Sequence, residues 1–141
     1  MSESRALGKA LDPLRILIVD DDDDARDLLS TVLRHRGATV IAASNAREAF
    51  EALCRERPDV LVSDIAMPGE DGFGLIARVR ALSDVEGGAT PAIAVTAFAT
   101  PTDRRRALHA GFDAWLPKPI DHDALVTLIT DVHGRRQSQV T

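Results

Sequence analysis

A chain of 141 residues with 45% hydrophobic content is sized for one compact domain with a real core, and its net charge of −5 argues against a general nucleic-acid binder, which carries a basic excess. The single cysteine, Cys54, excludes an internal disulfide and a thiolate metal cluster, and its place on a helical stripe predicts a plain packing role. No apolar run approaches the roughly 18 residues that span a bilayer, and the polar start Ser2-Glu3-Ser4-Arg5 is no leader, so the expectation is a cytoplasmic chain without membrane insertion.

Along the chain, short β-branched apolar runs alternate with helical patterns, as in a parallel sheet wrapped by helices. Arg15-Ile16-Leu17-Ile18-Val19 is apolar throughout, which fits a strand buried on both faces. Ala25, Leu28, Leu29, Val32 and Leu33 predict the inner face of a first helix, with Gly37 as its stop. Thr39 to Ala42 reads as a second strand. Ser44 and Asn45 offer caps to a second helix, with Glu48 placed as in a capping box and Ala46, Ala49, Phe50 and Leu53 facing inward. Val60 to Ser63 reads as a third strand that delivers Asp64.

Met67-Pro68-Gly69 forces a turn, and Phe73, Leu75, Ile76 and Val79 pattern a third helix. Ser83 to Pro91 is a loop and Ala92 to Val95 a fourth strand ending at Thr96. A short fourth helix is expected to start at Thr102-Asp103 and close near Gly111. Ala114-Trp115-Leu116 is a fifth strand, followed by Pro117-Lys118-Pro119. Asp121 caps a fifth helix with Leu125, Leu128, Ile129 and Val132 inward. Residues 1–13 and 134–141 read as tails or linkers around a domain at 14–133.

The polar residues gather when placed on this frame. Asp20 and Asp21 follow the first strand, Asp64 the third, Thr96 the fourth and Lys118 the fifth. Open α/β sheets bind ligands at the carboxyl ends of their strands, near the point where strand order reverses. Carboxylates crowded together repel, and a hard divalent cation relieves them. A carboxylate can also attack phosphorus, and the developing charge then calls for Mg²⁺, an ammonium and a hydroxyl donor. Asp64 as nucleophile, Asp20 and Asp21 as metal holders, and Lys118 and Thr96 as clamps satisfy those demands.

Five stretches, Ile16 to Asp22, Leu61 to Gly69, Asp71-Gly72, Ala94 to Ala97 and Leu116 to Pro119, together resemble the receiver domain of bacterial response regulators over roughly residues 14 to 133. The resemblance implies a CheY-like, flavodoxin-like doubly wound α/β fold of five parallel strands in the order 2-1-3-4-5, with five helices. It implies that Asp64 is phosphorylated from a histidine of a histidine kinase or a histidine phosphotransfer protein. It further implies that Asp21, Asp64 and the Ala66 carbonyl bind Mg²⁺, with Asp20 acting through water. Lys118-Pro119 matches a bond that is usually cis in the family. Thr96 would couple to the aromatic at Trp115 and switch a surface formed by the fourth helix, fifth strand and fifth helix. Such a chain is a phosphoacceptor that assists its own modification, not an enzyme.

Three positions depart from the family. Trp115 stands where Tyr or Phe is usual, Ala66 lacks a polar side chain, and Phe98 is likewise apolar. Ala66 and Phe98 predict slow loss of the phosphoryl group, which phosphate release from Ala66→Asn would check.

Other readings fare worse. A haloacid-dehalogenase-type phosphohydrolase would use Asp20 and Asp22, but Asp24 replaces the usual Thr and no late acidic pair follows. A calcium loop at Asp20 to Asp24 lacks its Gly and terminal Glu. Asp22 to Asp24 read as solvated acids at a helix N-terminus, and Arg104-Arg105-Arg106 as a solvated face. Gly69, Gly72 and Gly74 make no dinucleotide fingerprint, and His35, His109, His122 and His133 show no metal or triad spacing. The stretch 92–125 resembles receivers attached to hybrid histidine kinases, so both a stand-alone regulator and an excised receiver stay open. No DNA-binding segment is expected.

Overall fold

The computed structural model describes residues 9–97 and 100–140, with side chains as far as Arg135. Five strands, β1 (Arg15–Val19), β2 (Thr39–Ala43), β3 (Val60–Asp64), β4 (Ala92–Thr96) and β5 (Ala114–Pro117), form one parallel sheet ordered 2-1-3-4-5. They alternate with α1 (Asp23–His35), α2 (Ala46–Glu56), α3 (Gly72–Arg80), α4 (Pro101–Ala110) and α5 (His122–Val140). This is the flavodoxin-like arrangement expected from the sequence.

Side chains alternate across a strand, so each central strand feeds two cores. Leu17, Val19, Leu61 and Ala94 pack with α2, α3 and α4, whereas Ile16, Ile18, Val62, Ile93 and Val95 pack with α1 and α5. Every residue of β3 and β4 is buried, as burial on both faces demands. Register is set by Ile16 opposite both Val40 and Val60, Leu61 opposite Ala92, and Ile93 opposite Ala114. The chain reverses its direction of winding between β1 and β3, and the carboxyl ends of those two strands carry Asp20 and Asp64.

Local chemistry sets the helix ends. Asp22 caps α1, its carboxylate accepting from the Ala25 amide, and Asn45 caps α2 in the same way from Glu48. Glu48 returns its carboxylate to Ser44 rather than to Asn45, accepting from the Ser44 amide at 2.9 Å and its hydroxyl at 2.8 Å. After α1, Gly37 takes φ +99°, and a Cβ there would stand 2.8 Å from the Asp12 Cβ.

Four expectations are corrected. Leu28, expected on the inner face of α1, is 57% exposed. The buried seam runs through Leu29 and Leu33, and Leu28 lies about 100° around the helix from Leu29, beyond the reach of the sheet. Cys54 is half-buried rather than fully in the core. α4 begins at Pro101, because Thr100 is its cap: the Thr100 hydroxyl accepts from the Asp103 amide and donates to the Asp103 carboxylate. Of the stretch 1–13, Leu11 is fully buried and its amide donates to the Arg36 carbonyl at 3.0 Å. At the other end α5 runs unbroken to Val140.

Candidate functional site

Each strand that contributes to the site ends where its chemistry begins. β1 and β3 are held in register up to Val19 and Ser63, so the next residues, Asp20 and Asp64, emerge side by side. One carboxylate oxygen from each of Asp20, Asp21 and Asp64 lies within 4.8 Å of the others. Asp20 and Asp64 are buried, whereas Asp21 is exposed. From β5, Lys118 reaches across with Nζ 3.1 Å from Asp64 Oδ2 and 3.5 Å from Asp20 Oδ2. Its amide donates to the Thr96 carbonyl at 2.8 Å, tying the ends of β4 and β5 together, and the Lys118–Pro119 peptide is cis. Thr96 is buried at the end of β4.

The loop after β3 completes the wall. The Ala66 amide bonds the Asp64 carboxylate, and Ala66 itself is exposed. Gly69 turns the loop at φ +77°, and the Gly72 amide donates to the Ile65 carbonyl at 2.9 Å. At Gly72 a Cβ would lie 2.6 Å from the Asp64 carbonyl oxygen and 2.9 Å from the Ile65 Cα. Only glycine lets α3 begin this close to the Asp64 backbone.

Burial pushes the Asp64 carboxyl above its usual range; the Lys118 bond and charge oppose this, and the Asp20 charge adds to it. For Lys118, burial pulls the ammonium down, but the bond to Asp64 and the charges of Asp64 and Asp20 outweigh it and hold the group above its ordinary value. The result is a firmly charged cation facing a carboxylate short of compensation. Three carboxylates against one ammonium leave a net of two negative charges, which suits a hard, oxygen-seeking divalent cation. The donor set is all oxygen, so the residues fit such an ion.

Arg26 was not expected in this neighbourhood. Its guanidinium donates to the Asp20 carbonyl at 2.7 Å and pairs with Asp23, and that hydrogen bond to Asp23 leads in raising its pKa. An arginine one turn into a helix has no sequence signal that separates it from a surface charge. The Asp22 amide donates to Asp20 Oδ1 at 2.9 Å while the Asp22 side chain caps α1. Asp22 is therefore engaged with the helix and not poised as a second acid.

Beside the acids lies a cleft of ≈ 570 Å³ beneath α4, lined in part by Ala66, Met67, Phe73, Thr96, Ala107 and Trp115. Arg106 of α4 stacks on the Phe73 ring at 4.1 Å, so one member of the basic step is not simply solvated. Trp115 is half-buried, and its buried indole N–H has no hydrogen-bond partner among the described residues. Phe98 lies outside the described residues. No helix among the described residues is long and apolar enough to cross a membrane.

A family model described as the response regulator receiver domain matches residues 16–130. A protein of Leptolyngbya boryana, named as an uncharacterized 14.6 kDa protein in the sodA1 3′ region, is 50% identical over 121 residues, covering 86% of this chain and 91% of its own length. The response regulator MprA of Mycolicibacterium vanbaalenii is 36% identical over 114 residues, covering 81% of this chain but 48% of its own. This chain thus spans about half of that relative. Among solved structures, a putative response regulator from Chloroflexus aurantiacus aligns with a TM-score of 0.80 at 32% identity, covering 86% of this chain and 98% of that one.

Proposed function

Given that the chain belongs to the response regulator receiver family, we propose that Asp64 takes a phosphoryl group from a phosphohistidine on a histidine kinase or histidine phosphotransfer protein, in a Mg²⁺-dependent reaction. The observation that carries this reading is the meeting of three carboxylates within 4.8 Å of one another with a lysine ammonium 3.1 Å from Asp64. In the step proposed, an Asp64 carboxylate oxygen attacks phosphorus and the bond from phosphorus to the donor imidazole nitrogen breaks. The released nitrogen takes a proton from water, and Asp64 becomes an acyl phosphate. Lys118 stays beside Asp64 and offsets charge on the phosphoryl oxygens, and the Thr96 hydroxyl donates to one of them.

Asp21, Asp64 and the Ala66 carbonyl would hold Mg²⁺ directly, with Asp20 acting through water. When bound, the ion supplies positive charge to the phosphoryl oxygens. The burial that raises Asp64 serves the same end, since a carboxylate short of compensation gains most from a cation. The chain in this reading is a phosphoacceptor that assists its own modification rather than an enzyme acting on others. Thr96 and Trp115 line the same cleft, which supports their coupling as a switch that resets the surface of α4, β5 and α5.

The test is intact mass after incubation with acetyl phosphate and Mg²⁺. The expected result is a gain of one phosphoryl group that is acid-stable, base-labile and absent from Asp64→Asn. A gain that survives Asp64→Asn and vanishes in Asp20→Asn would refute the assignment and favour a phosphohydrolase. No gain in a folded, Mg²⁺-binding chain would point to a receiver that has lost its chemistry.

A further inference from the structure

The turn between β1 and α1 is tied down around Asp20. The Asp20 amide donates to the Ala43 carbonyl at 3.2 Å, the Asp22 amide donates to Asp20 Oδ1 at 2.9 Å, and Lys118 Nζ lies 3.5 Å from Asp20 Oδ2. The Asp20 carbonyl is taken by Arg26, whose guanidinium reaches back from the start of α1 and donates to it at 2.7 Å. A second nitrogen of the same guanidinium bonds the Asp23 carboxylate. The Arg26 side chain is only 16% exposed, so it is a packed clamp rather than a solvated surface charge.

Asp21 stands in the middle of this turn and differs from its neighbours. Its carboxylate is exposed and makes no hydrogen bond or ion pair among the described residues. Even so, one of its oxygens lies within 4.8 Å of oxygens of Asp20 and Asp64. Its direction is therefore set by the backbone alone. The peptide joining Asp20 to Asp21 is planar, so holding its carbonyl fixes the plane from which the Asp21 side chain departs. Arg26 is the group that holds it.

We propose that Arg26 is a positioning residue for the divalent cation, aiming Asp21 through the Asp20 carbonyl without touching the ion, a role that rests on the reading of Asp21 as a direct ligand. Mg²⁺ demands a near-ideal octahedron, whereas Ca²⁺ accepts more ligands in looser geometry. A fixed Asp21 therefore matters more to Mg²⁺, and the clamp favours it over Ca²⁺. Charge alone predicts the reverse. The bond to Asp23 leads in raising the Arg26 pKa, burial opposes it, and the charges of Asp23, Asp27 and Asp20 add to it. A cation close enough to feel Asp20 repels a metal ion beside Asp20, so its removal on charge grounds would tighten both ions.

Calorimetric titration of the full chain with MgCl₂ and, separately, with CaCl₂ tests this in the parent, Arg26→Met and Arg26→Lys. Methionine keeps the apolar stem and loses the charge and every donor. Arg26→Met is expected to bind Mg²⁺ about tenfold more weakly, as for loss of an outer-shell partner of a metal ligand. Its Ca²⁺ affinity is expected to change by less than about threefold. Arg26→Lys should fall between parent and Arg26→Met for Mg²⁺, since an ammonium can take the Asp20 carbonyl or Asp23 but cannot bridge them as the fork does. Urea unfolding without metal establishes that each variant is folded. Should Arg26→Met not fold, Arg26→Lys carries the test through a fall in the ratio of Mg²⁺ to Ca²⁺ affinity. Unchanged affinities, tighter binding of both ions, or equal weakening of both overturns the positioning role while the metal site stands. A parent that binds neither ion overturns the metal reading itself, and the role of Arg26 with it.

Discussion

Gly72→Ala is expected to damage both stability and phosphoacceptor chemistry, while Gly74→Ala, two residues along the same helix, is expected to do neither. At Gly72 the new methyl would sit 2.6 Å from the Asp64 carbonyl oxygen and 2.9 Å from the Ile65 Cα, which are both backbone atoms. Neither can swing aside, so α3 or the end of β3 must shift by more than half an ångström. Overpacking of this kind costs about 1–3 kcal/mol. The helix-propensity gain of alanine over glycine, about 1 kcal/mol in a helix interior, is smaller at the first helical residue. A net loss of about 1–2 kcal/mol follows, lowering Tm by several degrees in a domain of this size.

At Gly74 the nearest obstacle is the Glu70 side chain, with its Cγ 2.8 Å from the position of the new methyl. Glu70 is partly exposed and can rotate away, giving up an ion pair to Arg78 that is itself partly exposed. The propensity gain then stands largely unopposed, and stability should hold or rise by up to about 1 kcal/mol. Urea unfolding of both variants measures these differences directly. The rate of phosphorylation by acetyl phosphate supplies the second readout, since moving the Asp64 backbone misaligns its carboxylate with Lys118. Equal stabilities for Gly72→Ala and the parent, or an equal loss in Gly74→Ala, would refute the close-approach argument.

Arg80 clasps the far end of the sheet, donating to the carbonyls of Gly88, Thr90 and Gly111 and pairing with Asp113 at 3.0 Å. Arg80→Ala leaves those part-buried groups without that donor and should cost about 3 kcal/mol in urea unfolding. Arg80→Lys should recover less than half of the loss, because a point ammonium cannot span the same fork. Mg²⁺ binding should raise Tm by mass action, with about 2.7 kcal/mol expected at a hundredfold excess over Kd. In Asp21→Asn that rise should vanish without loss of metal-free stability, since Asp21 is exposed; a Mg²⁺-dependent rise that persists in Asp21→Asn would remove it from the metal site.

The sheet was legible because its central strands, β1, β3 and β4, are short apolar runs buried on both faces, and because each of these leads into a polar residue, Asp20, Asp64 or Thr96. Asp20, Asp64, Thr96 and Lys118 were legible for the same reason: they stand at the last position of a strand or the first past it, and parallel order alone brings them to one rim. Leu28 was misread because an apolar residue at helical spacing does not say how wide the buried seam is. The start of α4 was misplaced although Thr100, Pro101 and Asp103 spell a capping box, because the apolar pattern that begins later drew the boundary inward. Leu11 was assigned to a tail since one leucine among polar neighbours has no period, and only the end of α1 shows where it is received.

What the sequence could not carry is distance. Gly72 was visible as part of an Asp-Gly pair, but the need for glycine there arises from the Asp64 carbonyl, which is eight positions away in the chain and in contact in space. Arg26 is the same case seen from β1: its partner is a backbone carbonyl, which every residue has and no sequence distinguishes. Trp115 adds a third kind. Trp115 stands where Tyr or Phe is usual, and the feature that sets it apart in the fold is polar: an indole N–H buried without a partner among the described residues, beside the cleft that Thr96 also lines. Leaving that donor unpaired costs free energy in this state, so any rearrangement that brings an acceptor to it lowers the energy of the other state. A Phe at this position could not take part in that balance, and a Tyr would do so only through its hydroxyl at the ring tip.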